Sequence, residues 1–277
     1  MELTPRDRVV GLLKNVGLNK LAAKVVYRLE GFKTANTAVL EAIDRSFEHT
    51  RVNSIAGDYL EFGVFKGASL LHAQKLADRL NLDRMRFIGF DSFQGLPPEP
   101  EQYKEMFYEG QYSCGEQQVR TWLSQHGADW KRLVLVSGFY DDTLTPERKT
   151  ELGLKRCAVA MLDCDIYSST KVALTWIDDV IAPGSIVILD DWDAYGDDER
   201  SWLDGQRRAM KEHETTSNWI FEELFRYARG LRGGLALICM RAKTSAKSVG
   251  AAVQCLVAAL ALVRYDLINV SALASSL

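Results

Sequence analysis

Short apolar runs alternate with longer amphipathic segments along most of the chain, and this alternation is typical of an α/β protein. The apolar runs have the length of buried strands and are bounded by turn-forming or acidic residues. The pattern predicts strands at 59–62, 87–90, 133–136, 157–162, 185–189, 219–225 and 235–240. It predicts helices at 6–53, 68–80, 117–126, 168–181 and 197–214. The expected fold is a doubly wound, Rossmann-like α/β sheet that is mostly parallel.

The two ends of the chain add to this pattern. Glycines at 230, 233 and 234 join the last two predicted strands, so we expect a β-hairpin that places one antiparallel strand in the sheet. The helical segment before the first strand is expected to cover one edge of the sheet or the site. The chain is therefore predicted to comprise an N-terminal helical cover at 1–54, a central domain at 55–241 and an apolar helical extension at 242–277.

The extension carries an apolar run from Val249 to Val263, which is shorter than the ~20 residues that a membrane-spanning helix needs. No spanning segment is therefore expected. The favoured interpretation is a helix that packs on its own domain or across a dimer. A role at a membrane surface or with a lipid-linked acceptor, and a poorly ordered tail, are the alternatives.

Composition and charge narrow the class of protein. The chain has 277 residues, 47 % of them apolar, which suffices for one sizeable α/β domain with additions. Its net charge is −3 and it has no stripe of lysine and arginine, so nucleic acid is not expected as a partner. The five cysteines are scattered without a Cys-x-x-Cys pair, which favours reduced thiols in a cytoplasmic protein over disulfides or a zinc site. The N-terminus shows no secretory signal pattern, which also favours the cytoplasm.

The segment 57–67, which reads GDYLEFGVFKG, carries the most specific signal. Glu61, Gly63 and Gly67 lie where the first strand bends into a helix, and small residues there let a ligand approach the backbone. A bare helix N-terminus favours phosphate, whereas the Glu61 carboxylate repels phosphate and suits an ammonium group. S-adenosylmethionine carries an amino acid and a sulfonium instead of a phosphate, so the turn favours this methyl donor.

The second strand ends in Asp91, one strand–helix–strand unit after Gly63. An acid at this point can accept hydrogen bonds from both hydroxyls of a ribose. The third strand leads into the polar segment 137–143, which could border the adenine. The two segments together predict a nucleoside site at the carboxyl ends of the strands.

Two later strands end in carboxylates. Asp163 and Asp165 follow one of them, and Asp190 and Asp191 follow the other. If the strands are neighbours, Asp163, Asp190 and Asp191 converge, and three carboxylates repel one another unless a cation holds them. Oxygen ligands alone select a hard divalent ion such as Mg²⁺ or Ca²⁺. Asp165 lies two residues beyond Asp163, on the same face if strand geometry persists, and is the candidate general base.

These segments, taken in order, resemble the macrocin O-methyltransferase family. This family contains class I S-adenosylmethionine-dependent enzymes that methylate sugar hydroxyls of natural products. No single piece is decisive, but six pieces in the right order are specific. The matching pieces are 57–67, 89–97, 107–112, 138–144, 162–168 and 189–192.

The resemblance implies a role for each matching position. Asp163, Asp190 and Asp191 would bind Mg²⁺, and Asp165 would take the proton from the hydroxyl that is methylated. The acceptor would be a sugar or glycoside, and a homo-oligomer, most simply a dimer, is the family expectation. The residues that would hold the methyl donor are Glu61, Gly63, Phe65, Lys66, Ser69, Asp91, Ser92, Gly138, Asp142 and Asp163.

Other functions remain open at this stage. A hydroxylase-like relative or a non-catalytic binding module could keep the same fold and nucleoside pocket. Iron chemistry would call for histidine ligands, and none lies near the acidic residues in sequence. A nicotinamide dehydrogenase is disfavoured by Glu61 and by the lack of Gly-x-Gly-x-x-Gly. The acceptor is expected to be shaped by the N-terminal helices and by a lid at 101–118, whose Phe107, Tyr108 and Tyr112 could stack on it or pack in the core.

Overall fold

The computed structural model describes residues 37–98, 107–194, 205–229 and 232–242. Seven strands form one sheet in the order β3-β2-β1-β4-β5-β7-β6. The first five strands run parallel, and β7 is antiparallel to both β5 and β6. The strands are β1 (Asp58–Phe62), β2 (Phe87–Asp91), β3 (Leu133–Ser137), β4 (Cys157–Leu162), β5 (Ile186–Leu189), β6 (Trp219–Arg229) and β7 (Arg232–Ala242). The predicted doubly wound sheet with one terminal hairpin is confirmed.

The helices follow the predicted alternation, apart from two additional short helices and one cap. The N-terminal helical segment is described only from residue 37, and the predicted helix at 197–214 only from residue 205. Two short helices between β3 and β4, α4 and α5, were not predicted. The N-cap of α6 is Ile166 and no side chain caps the helix, so the expected cap by Ser168 or Ser169 is wrong. The helices are α1 (Thr37–Val52), α2 (Ala68–Arg79), α3 (Glu116–Gln125), α4 (Tyr140–Thr143), α5 (Pro146–Glu151), α6 (Tyr167–Ile177) and α7 (Gly205–Thr216).

Alternation along the strands gives the sheet two apolar faces. Tyr59 of β1 faces the layer that contains α1 and α2, and its ring lies 5.5 Å from that of Phe47. Phe62 faces the opposite layer, where it stacks on Phe90 at 4.9 Å and meets the edge of Trp176 in α6. Because side chains alternate with a period of two, Glu61 shares the face of Tyr59 and lies beneath α2.

Strand register brings the candidate residues to one edge of the sheet. Leu162 at the end of β4 pairs with Leu189 at the end of β5, so Asp163 and Asp190 follow at the same level. Phe62 pairs with Phe90 in the same way, which places Gly63 beside Asp91. The carboxyl ends of four adjacent strands therefore meet where open α/β sheets bind their ligands.

Several sequence predictions concern segments beyond these ranges. The chain before residue 37, the lid residues 99–106 and the extension after 242 lie outside the described residues. In the part that is described, no helix has the length and apolarity to cross a membrane. Four of the five cysteines lie within the described ranges, where they are buried and free: Cys114, Cys157, Cys164 and Cys239.

Candidate active site

A cavity opens above the carboxyl ends of β1, β2 and β4. Its walls come from the turn after β1, the loops after β2, β3 and β4, and the first turns of α6. It is lined by Gly63, Phe65, Asp91, Ser92, Gly95, Leu96, Pro97, Gln111, Tyr112, Phe139, Tyr140, Asp141, Asp163, Cys164, Asp165, Ser168, Ser169 and Val172. The cavity therefore joins the predicted nucleoside site and the acidic loops in one space.

Asp91 lines the cavity at the end of β2, where the sequence predicts a nucleoside site. Its Oδ2 accepts a 2.7 Å hydrogen bond from the backbone amide of Phe65, and its Oδ1 accepts one of 2.6 Å from Phe93. Burial raises the pKa of Asp91, and these backbone amides oppose that rise by stabilising the charged form. The side chain is thus fixed in one orientation before any ligand binds.

The residues that hold Asp91 have an uncommon backbone conformation. Phe65 and Phe93 have φ values of 51° and 55°, in the left-handed region that non-glycine residues seldom adopt. Tyr112 and Asp165, which line the cavity as Phe65 does, have φ values of 61° each. Left-handed residues that cluster at one cavity indicate a site where backbone strain serves binding.

Gly63 brings the turn after β1 into direct contact with the end of β4. Its φ is 97°, and a Cβ atom there would lie 1.8 Å from the backbone oxygen of Asp163. Only glycine fits both the conformation and the space. The contact fixes Asp163 against the turn that carries Phe65.

The loop after β2 forms a polar turn at the cavity wall. The Ser92 hydroxyl donates to the Gly95 carbonyl at 2.7 Å and accepts from the amide of Gln94 at 3.0 Å. The Leu96 amide then donates to the Gln111 carbonyl and the Leu96 carbonyl accepts from the Gly110 amide, which ties this loop to the segment 107–112. Ser92 therefore lines the cavity mainly as a turn residue.

The aromatic residues proposed for the acceptor side separate into two groups. Phe107 is buried in the protein, whereas Tyr112 lines the cavity and is 37 % exposed. The Tyr112 ring meets the edge of the Phe65 ring at 5.9 Å. Tyr112 can therefore contact a ligand, and Phe107 has a packing role.

Glu61 has a different position from the one the sequence suggested. Its side chain is fully buried below the cavity instead of standing at its mouth. The hydroxyls of Tyr59 and Ser69 donate to its two oxygens at 2.6 and 2.8 Å. Burial raises the pKa of Glu61 to about 7, against the opposing effect of these hydrogen bonds. The carboxylate therefore orients Ser69 at the start of α2.

The remaining residues predicted to hold the methyl donor do not line the cavity themselves, although some are next to residues that do. Asp142 does not line the cavity, and its neighbour Asp141 does. Lys66 and Gly138 flank lining residues, and the Lys66 ammonium lies 4.9 Å from the centre of the Phe65 ring. Tyr140 belongs to the predicted polar segment 137–143, but sequence reasoning did not single it out; it lines the cavity, and its ring meets Phe62 at 5.9 Å. Its proximity to the acidic residues depends on the unpredicted helix α4.

The acidic loops bring three carboxylates together. Asp163, Asp190 and Asp191 each offer an oxygen atom, and these atoms lie within 4.8 Å of one another. Asp190 and Asp191 are only 1 % and 6 % exposed. Oxygen donors in this number and spacing fit a hard divalent cation, which would also offset their mutual repulsion.

Buried hydrogen bonds hold this cluster in place. Tyr227 donates from its hydroxyl to Oδ1 of Asp190 at 2.8 Å. Gln206 accepts from the amide of Asp191 and donates to the carbonyl of Leu162, at 2.9 and 3.0 Å, so α7 ties the ends of β4 and β5 together. Burial, and then the charge of Asp190, raises the pKa of Tyr227 well above its usual range, so its hydroxyl keeps its proton.

Asp165 lies beside the cluster without belonging to it. Strand geometry ends at Leu162, and a φ of 61° at Asp165 turns the chain so that its amide donates to Oδ2 of Asp191 at 3.0 Å. Asp163 and Asp165 still line the same cavity, through a turn and not through the predicted strand spacing. The arrangement leaves a carboxylate near the cluster that can accept a proton.

This sheet order, with its single antiparallel strand and its cavity at the carboxyl ends, defines a class I methyltransferase fold. The chain belongs to the macrocin O-methyltransferase family, TylF, whose model matches residues 31–217. The family predicted from the sequence segments is thereby confirmed.

Curated relatives are natural-product methyltransferases. The chain is 28 % identical over 161 residues to 8-demethyl-8-(2,3-dimethoxy-alpha-L-rhamnosyl)-tetracenomycin-C 4'-O-methyltransferase of Streptomyces olivaceus, with 55 % of this chain and 59 % of the relative covered. It is 26 % identical over 178 residues to mycinamicin III 3''-O-methyltransferase of Micromonospora griseorubida, with 61 % and 66 % covered. The chain thus spans about three fifths to two thirds of the length of these relatives.

Solved structures share the fold. The O-methyltransferase NovP superposes with a TM-score of 0.61 at 21 % identity, with 74 % of this chain and 80 % of that chain covered. The calicheamicin methyltransferase CalS11 gives a TM-score of 0.57 at 23 % identity, with 85 % and 94 % covered. At these identities the likeness supports the fold alone.

Proposed function

We propose that this protein is an S-adenosylmethionine-dependent O-methyltransferase that acts on a hydroxyl of a sugar or of a glycosylated natural product. The observation that carries the proposal is one cavity lined by Asp91, at the end of β2, and by Asp163 and Asp165, which follow β4. A nucleoside-binding acid and a candidate base thus share one space. The names of the curated relatives, which include a rhamnosyl tetracenomycin methyltransferase, support the class of acceptor.

Asp91 would bind the ribose of the methyl donor. The amides of Phe65 and Phe93 hold its two oxygens, and each carboxylate oxygen can accept more than one hydrogen bond. The ribose hydroxyls would bind at the acceptor positions that remain. Gly63 would admit the donor close to the backbone, and Glu61 would act on it through the Ser69 hydroxyl.

The other end of the cavity would activate the acceptor. Asp163, Asp190 and Asp191 would hold a divalent cation such as Mg²⁺, which would lower the pKa of an acceptor hydroxyl. Asp165 would accept the proton of that hydroxyl. Its position is fixed through its own amide, which Asp191 holds. Positioning of donor and acceptor in one cavity would supply much of the rate enhancement.

A binding experiment with adjacent acids tests the donor site. We expect S-adenosylhomocysteine, titrated calorimetrically, to bind the unmodified chain and to lose at least tenfold in affinity in Asp91→Asn. Asp142→Asn is the matched control, because Asp142 lies next to the cavity residue Asp141 but outside the lining. Its affinity should stay within about twofold of the unmodified value. No binding to the unmodified chain would contradict the methyltransferase proposal.

A further inference from the structure

The β6–β7 hairpin brings the hydroxyl of Tyr227 to the carboxylate cluster, which consists of Asp163, Asp190 and Asp191. Tyr227 belongs to β6, which forms one edge of the sheet, and β7 separates it from β5, which leads to Asp190. Its side chain nevertheless reaches Asp190 and donates a 2.8 Å hydrogen bond to Oδ1. Tyr227 is 8 % exposed and Asp190 is 1 % exposed, so water does not compete freely for this bond.

A glycine in β7 makes this reach possible. Gly234 pairs with Tyr227 across the hairpin, and a Cβ atom at Gly234 would lie 2.1 Å from Cζ and 2.3 Å from Oη of the tyrosine. The φ of Gly234 lies outside the left-handed region, so glycine is needed here for space and not for conformation. The ring of Tyr227 occupies the space that a side chain on β7 would fill.

The two residues therefore act together: the Tyr227 ring packs over Gly234, and its hydroxyl donates to the carboxylate of Asp190. We propose that Tyr227 is a positioning residue for the carboxylate cluster, oriented by Gly234, and that it sets the affinity for a divalent cation. The inference rests on the proposed function, since it requires that Asp163, Asp190 and Asp191 bind a cation. Hydrogen bonds to ligating carboxylates fix their orientation, and their loss weakens metal binding by roughly 10- to 100-fold.

Cation affinity measured apart from turnover tests the inference. Mn²⁺ is the probe, since it takes the same oxygen ligands as Mg²⁺ and its binding can be followed by electron paramagnetic resonance. In Tyr227→Phe the ring that packs on Gly234 is kept and only the hydroxyl is lost. We expect Mn²⁺ to bind this variant roughly 10- to 100-fold more weakly. The affinity for S-adenosylhomocysteine without added cation should stay within about twofold.

Two further variants separate positioning from general damage. Tyr59→Phe is the matched control, because Tyr59 is also a buried tyrosine that donates to a carboxylate, that of Glu61, outside the cluster. Its Mn²⁺ affinity should change by less than about threefold. Gly234→Ala should displace the Tyr227 ring and weaken Mn²⁺ binding as Tyr227→Phe does. Adding Tyr227→Phe to Gly234→Ala should then have little further effect, since both changes remove the same bond.

The outcomes distinguish this inference from the proposed function. If the unmodified chain binds S-adenosylhomocysteine but no Mn²⁺, the cation site itself is absent and the inference is overturned with it. If the unmodified chain binds Mn²⁺ and Tyr227→Phe binds it equally well, only the positioning role is overturned. Equal losses of Mn²⁺ and S-adenosylhomocysteine affinity in Tyr227→Phe would indicate general damage, and would also overturn it.

Discussion

At the scale of single residues, Glu61 makes stability depend on pH. Its pKa is about 7 in the folded protein against 4.5 for an ordinary glutamate, because burial disfavours the charged form. The folded state therefore holds a proton that the unfolded state has lost between these values. The stability that this proton gives is complete below pH 4.5 and is lost as pH rises to 7.

We predict that Glu61→Gln removes this loss. The free energy of unfolding of the unmodified protein, relative to the variant, should fall by about 3 kcal/mol between pH 4.5 and 7. Guanidinium unfolding of both proteins at several pH values measures the difference. Two curves that run parallel across this interval would contradict the raised pKa.

Gly63 gives a prediction about space. A Cβ atom at this position would meet the backbone oxygen of Asp163 at 1.8 Å, so Gly63→Ala must separate β1 from β4. Gly127→Ala is the control, since Gly127 also has a positive φ, 80°, but nothing lies within 4 Å of its added Cβ. We expect the control to lose about 1 to 2 kcal/mol of stability from conformational strain, and Gly63→Ala to lose several kcal/mol. Chemical unfolding compares them, and equal losses would disprove the close contact.

Asp165 gives a prediction about chemistry. Asp165→Asn keeps the backbone amide that donates to Asp191, and asparagine tolerates the left-handed φ. We expect binding of S-adenosylhomocysteine to persist while methyl transfer to a glycoside acceptor falls by roughly 10²- to 10⁴-fold. Single-turnover assays with bound donor separate the two effects. Full turnover in the variant would assign the proton to another group.

The residue types at the strand ends predicted which acids come together. They did not predict how deeply a side chain is buried or how the backbone turns after the strand. The convergence of Asp163, Asp190 and Asp191 follows from parallel register, which strand patterns indicate. The burial of Glu61 depends on how α2 covers its side of the sheet. The left-handed φ of Asp165 depends on the hydrogen bond that Asp191 accepts. Both are tertiary effects that no local pattern in the sequence reports.

At the scale of elements, α5 has a start signal that the sequence analysis overlooked. Thr145 precedes Pro146, and its Oγ1 accepts a 3.2 Å hydrogen bond from the amide of Arg148. Threonine at the N-cap followed by proline is a common start of a helix. Helices as short as α4 and α5 show too few turns to give a visible apolar period, so no helix was predicted at either place.

We predict that Thr145→Ala destabilises the protein by about 1 kcal/mol, because an orphan amide in the first turn loses its partner. Thr145→Ser is the control, since it keeps the hydroxyl and should recover most of the loss. Urea unfolding of the three proteins measures the effect. A serine variant as unstable as the alanine variant would show that packing of the methyl group matters instead.

At the scale of the whole molecule, the alternation of strands and helices predicted the sheet, because parallel strands need crossover helices. The hairpin was also predicted, but its strands extend further than expected, to Arg229 and from Arg232. The added length places Tyr227 within a strand and opposite Gly234. Sequence periodicity could not show the contact of Tyr227 with Asp190, since it reaches from β6 across β7 to the end of β5.

The carboxylate cluster gives a prediction for the stability of the whole protein. Asp163 is the member to change, because it is the one of the three that is not fully buried. The change also leaves in place the hydrogen bonds that Asp190 and Asp191 accept from Tyr227 and from the amide of Asp165. Removing one of three mutually repelling charges should raise the free energy of unfolding of Asp163→Asn without cation, by on the order of 1 kcal/mol. Binding to the folded state alone should stabilise the unmodified protein by about 2.7 kcal/mol when Mg²⁺ is present at 100 times its Kd. That gain corresponds to a rise in Tm of roughly 5 to 10 °C, which Asp163→Asn should lack.

Thermal unfolding with and without Mg²⁺ measures both effects, and Asp193→Asn serves as the control. Asp193 is an acid next to the cluster that pairs with Arg207 and is not one of its three carboxylates. Its variant should keep the Mg²⁺-dependent rise in Tm. The same rise in Asp163→Asn would show that Mg²⁺ acts elsewhere on the protein. If Asp163→Asn is more stable than the unmodified protein without cation and its Tm no longer rises with Mg²⁺, the three carboxylates lower the stability of the unmodified protein and are needed for cation binding. Such a loss of stability is expected where like charges lie close together at a binding site.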